Sequence, residues 1–133
     1  MARFDLTQFE TLSGSVNAIR YEAGERLTKL GVPKAPFSLS VSKLKHILRN
    51  MEEHNRATVQ EVRILKREFD LVDKHDQYET AAERIIRYHM MRRFLAAAEF
   101  HAQLWTTIHE LRRRLEILEA EGATQFSEGS HVN

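Results

Sequence analysis

Cysteine is absent from the 133 residues. That excludes disulfides and thiolate metal sites and fits a reducing compartment. Glycine and proline are scarce, and from Phe37 to Glu121 there is neither. Both prolines, Pro33 and Pro36, precede this stretch and Gly122 follows it, so the strongest breakers of regular structure are missing from most of the chain. An excess of one charge is missing too. Twenty basic residues against nineteen acidic ones leave a formal charge of +1, which gives no global polyelectrolyte signal for nucleic acid or membrane. The longest uninterrupted apolar run, Phe94 to Ala98, is far too short to span a bilayer. Met1 to Asp5 contain no apolar core of a secretory signal. These absences predict a soluble cytoplasmic protein with no membrane partner. A viral product made in a host cytosol would carry the same traits.

Chemical motifs are also lacking. There is no glycine-rich phosphate loop, no HExxH, no histidine pair four residues apart, and no Glu-x-x-His within a predicted helix. His75 and Glu79 are four apart, but two ligands do not make a metal site. The carboxylate pairs Glu52–Glu53 and Asp70–Asp73 fall on predicted outer faces or near a helix end, where solvation keeps them ordinary acids. Ser38, Ser40 and Ser42 stand in no nucleophile-elbow sequence and read as helix caps. No catalytic residue, cofactor or metal site is expected, and the chain reads as a non-enzyme.

What is present is helical periodicity. Apolar residues recur at spacings of three and four, which predicts an all-α antiparallel bundle of three long helices with coiled-coil character in a single domain over residues 1–121. The first helix is predicted over about residues 6–30, on the seam Phe9, Leu12, Val16, Ile19 and Ala23, continued by Leu27 and Leu30. Ser13-Gly14-Ser15 weakens its middle, and the alternative is a separate arm over the first twelve residues with Ser13 or Ser15 capping a shorter helix. Gly31 and Pro33 stop it, and residues 31–40 form a loop in which Ser38 or Ser40 caps the next helix.

The second helix is predicted over about residues 41–73. Its heptad places Val41, Leu48, Asn55, Val62 and Phe69 at a, and Leu44, Met51, Thr58, Leu65 and Val72 at d. Eight of these ten positions are apolar, which specifies the seam closely. Asn55 and Thr58 are the exceptions and are assigned as a register or specificity element. Thr58 to Glu61 also has capping-box form, yet nothing before it forces a turn, so one continuous helix is expected.

Residues 73–80 interrupt the pattern, and Asp76 with Glu79, and Thr80 with Glu83, both match a capping box. The chain reverses here. The third helix is predicted over about residues 79–121. Its stripe is broad from Ile85 to Ile108, including Ile86, Met90, Met91, Phe94, Ala97, Leu104 and Trp105, and His101 lies among these core positions. Beyond that the stripe narrows to Leu111, Leu115 and Leu118. Gly122 is expected to end the helix, with a disordered tail over residues 122–133.

Two functional readings follow. The first is an interaction module, a self-associating scaffold, adaptor or assembly protein. The Leu111, Leu115 and Leu118 seam would project, find a partner helix and make a homo-oligomer, most simply a two-fold dimer, or engage another protein. The second is a nucleic-acid binder, of RNA or duplex backbone. Arg49, Arg56 and Arg63 share the b position about 10.5 Å apart along the axis. Arg84, Tyr88 and Arg92, beside Arg93, form a row at the start of the third helix. Acid-to-base pairs at i, i+4, among them Glu52–Arg56, Glu83–Arg87 and Glu110–Arg114, would neutralise much of such a surface.

Overall fold

The structure, a computed structural model, describes residues 16–32, 39–73 and 80–122, and the helical backbone of residues 123–132. It contains α1 (Val16–Lys29), α2 (Val41–Val72) and α3 (Ala81–Val132), with no strand among the described residues. The expected helical turns before Val16 lie outside the described residues.

Each boundary that is described has a local cause. Gly31 takes φ 86, a left-handed conformation that ends a helix and suits glycine. Its N–H donates to the Thr28 carbonyl at 3.0 Å. Ser40, extended at φ −70 and ψ 160, caps α2 by accepting from the Lys43 N–H at 3.3 Å. Thr80 caps α3: its Oγ1 accepts from the Glu83 N–H at 3.1 Å and donates to the Glu83 carboxylate at 3.0 Å. The capping-box sequence at Thr58 does not start a helix. Its hydroxyl donates back to the His54 carbonyl at 2.7 Å, and α2 runs through it unbroken.

Gly122 likewise does not end α3, which continues to Val132. A helical glycine costs about 1 kcal/mol relative to alanine but adds no steric block. Gly122 keeps a negative φ, and nothing lies within 4 Å of where its Cβ would be.

α2 and α3 form an antiparallel hairpin. Lys45 faces Glu119 (3.4 Å), Glu52 faces Arg112 (3.2 Å), and Glu68 faces Arg93 (3.9 Å). Phe69 stacks on Phe94 with ring centroids 6.3 Å apart. Near the turn, Arg87 reaches back to Asp73 at 3.8 Å. The buried residues of α2 are Leu44, Leu48, Met51, Thr58, Leu65 and Phe69, all of them predicted a or d positions. Leu44, Leu48 and Met51 of these meet Phe100, Leu104, Ile108 and Leu111 of α3, with Ala23 of α1 closing the same core. Each such aliphatic side chain contributes about 1.5–3 kcal/mol when fully buried.

α1 covers the other flank of α3. Gln103 Nε2 donates to the Arg20 carbonyl at 3.1 Å, and Arg92 donates to Glu22 at 2.6 Å. Arg26 joins all three helices. Its guanidinium lies 4.1 Å from the Phe100 ring centroid on α3 and bonds Glu61 on α2 at 3.0 Å.

Candidate interaction surfaces

The leucine seam of α3 is covered from within. Leu111 is buried in the core, and Leu115 and Leu118 are half-buried against it. The expectation that one chain leaves this seam projecting does not hold, because α2 begins early enough to lie opposite it. Lys45, in the second turn of α2, already pairs with Glu119.

Asn55 and Thr58 also face the chain's own interior. Thr58 is buried and its hydroxyl is satisfied by His54. Asn55 is half-buried, and its Oδ1 has no hydrogen-bond partner among the described residues. A buried orphan acceptor costs about 1–3 kcal/mol. At an a position, a polar residue can set which layers of two helices meet.

The two arginine groups are separated rather than joined. The antiparallel register sets Arg49, Arg56 and Arg63 alongside about residues 100–115 of α3, while residues 84–93 lie toward the turn. Tyr88 is buried, with the Arg87 guanidinium 5.4 Å from its ring centroid. Arg92 is held by Glu22, Arg93 reaches Glu68 at 3.9 Å, and Arg84 is exposed. The α3 row therefore offers no continuous cationic face.

The row on α2 has a different environment. Glu52, one turn from Arg56, is bound to Arg112 instead, and its carboxylate accepts from that guanidinium at 3.2 and 3.3 Å. Asp70 accepts from Lys66 at 2.7 Å. Arg49, Arg56, Arg63 and also Arg67 are exposed with no acid partner among the described residues. Glu53, exposed, is the acid that adjoins them.

Some features carry little sequence signal. Arg87, 1% exposed, is the largest fully buried side chain among the described residues. Only its i, i+4 spacing to Glu83 was visible in sequence, whereas the fold turns it to Asp73, one of the carboxylates expected to be merely solvated. Trp105, read as part of the broad stripe, is 43% exposed. Its ring meets His109 edge-on at 4.6 Å, and the Arg112 guanidinium lies 5.9 Å from its centroid. Ile86, also placed on the stripe, is 49% exposed, and Leu71 and Ile85 are 66% and 58% exposed. Leu71 is the last residue but one of α2, and the two isoleucines lie in the second turn of α3, so all three stand near the reversal.

Two side chains of α1 have shifted acid–base properties. The hydrogen bond from Arg92 holds the Glu22 carboxyl below its ordinary value. The hydrogen bond with Glu25 raises the Tyr21 phenol. An open cleft of about 310 Å³ between α1 and α3 is lined by Leu27, Glu99, Ala102, Gln103, Thr106 and Thr107. Glu99 is its single titratable group, so it assembles no acid–base pair. Among the described residues, no three His, Asp or Glu side chains gather at metal-binding distance, and no helix is long and apolar enough to cross a membrane. Compared with protein-family models, with curated proteins and with solved structures, the chain finds no match.

Proposed function

We infer that the protein is a non-enzymatic helical interaction module that self-associates, in the manner of a scaffold or assembly component. The observation that carries this reading is the exposure of Leu71, Ile85 and Ile86 near one end of the α2–α3 hairpin. Single exposed apolar residues are ordinary, but a group of large aliphatics near one end of a small bundle marks a contact surface. The interface thus moves from the leucine seam, which α2 covers, to the end of the hairpin where α2 stops at Val72 and α3 starts at Ala81. Two copies meeting there across a two-fold axis would bury the same residues on both sides.

The test is the mass of the Leu71→Asp, Ile85→Asp double variant by light scattering on a sizing column. Both side chains are already solvated, so helicity and melting temperature should stay as in the wild type. The mass should fall to that of one chain. An oligomer of undiminished mass would remove this end of the hairpin from the interface.

A further inference from the structure

We propose that the hairpin face on which Glu52 meets Arg112 binds single-stranded nucleic acid, with Arg49, Arg56 and Arg63 on the phosphates and Trp105 stacking on an unpaired base. This site is independent of the self-association surface, which lies toward the reversal.

The argument begins with charge that the fold leaves uncompensated. Acid-to-base pairing at i, i+4 would have neutralised Arg56 through Glu52, but Arg112 takes that carboxylate. Arg49, Arg56 and Arg63 are left in one row with no acid partner among the described residues, and Arg67 extends it by a turn. From Arg49 to Arg63 the row spans about 21 Å of a straight helix. A second copy is a poor occupant, because two such rows meeting across a two-fold axis would repel.

The aromatic group selects among polyanions. Trp105 lies seven residues before Arg112, hence about 10.5 Å along α3, which sets it level with the middle of the row. It is 43% exposed, and His109 braces it edge-on. Cationic tracks beside exposed aromatic rings are how proteins hold single strands without sequence preference. A duplex has no unpaired base to offer, and an acidic polypeptide has no base at all.

Trp105 is the chain's one tryptophan, so its fluorescence reports on the site directly. The experiment titrates the full-length protein at low salt with a fluorescently labelled oligothymidylate, reading tryptophan quenching and label anisotropy together. A duplex of equal length and polyglutamate serve as competitors. The expected result is coincident quenching and binding, with the duplex and polyglutamate displacing poorly. Replacing Arg49, Arg56 and Arg63 together by Gln should reduce the slope of log affinity against log salt by about 2, since each phosphate contact to a single strand contributes roughly 0.7. Trp105→Ala should weaken anisotropy-detected binding roughly tenfold, and Glu53→Gln should tighten it. All five side chains are exposed, and circular dichroism melting confirms that each variant folds. Absence of binding overturns the proposal. So does binding without quenching, an unchanged salt slope in the triple variant, or equal displacement by polyglutamate or duplex.

Discussion

Arg26 does at one position what sequence periodicity does not announce. It stacks on Phe100 and bonds Glu61, so one side chain of α1 holds both other helices. Arg26→Ala should destabilise the fold by about 1–2 kcal/mol in urea denaturation. Arg26→Lys should recover less than half of that, because an ammonium lacks the planar face that stacks. Full recovery by lysine would show that charge alone matters there. Asn55 makes the opposite contribution. Its unpartnered Oδ1 means that Asn55→Leu should raise stability by about 1–2 kcal/mol; a loss of stability would show that the amide is satisfied after all. Glu22 adds a small pH dependence. Its folded carboxyl titrates below the unfolded one, so its contribution is present above the unfolded pKa and lost as pH falls through the lower, folded value. The pair is half-exposed on the Glu22 side, so the change should be under about 1 kcal/mol and fade with salt. A comparison of wild type with Glu22→Gln across acidic pH measures it.

At the level of elements, the antiparallel register decides which expectations survive. Heptad positions in α2 are a property of α2 alone, and all of its buried residues fall on them. Caps are local as well, which is why Gly31, Ser40 and Thr80 were legible. Whether Leu115 is covered depends on where α2 begins relative to α3, and no single-helix pattern contains that. Leu115→Asp therefore tests the register. It should cost about 2–4 kcal/mol of stability, because it places a carboxylate against the core. Had the seam been an intermolecular anchor, the same change would have abolished association and spared the fold. The ion pairs carry the same lesson. Glu52 and Arg87 each had an i, i+4 partner in sequence, but across the hairpin Arg112 and Asp73 replace those partners.

For the whole molecule, the three-helix architecture followed from composition and spacing, whereas its surfaces did not. Trp105 and Ile86 sit on the apolar stripe by periodicity but are left partly uncovered, because a bundle of three helices covers each face only where a neighbour runs alongside. The positions of α1 and of the reversal thus determine what is available for contact. Uncovered aliphatics near one end, and an unneutralised arginine row beside a tryptophan along the length, are properties of the packed chain. The central claim is that this packed chain self-associates although its leucine seam is internal. Absolute mass by light scattering on a sizing column, with the wild-type chain at micromolar concentration, tests it most directly. The account predicts a mass of twice 15.6 kDa; a single peak at 15.6 kDa would contradict it.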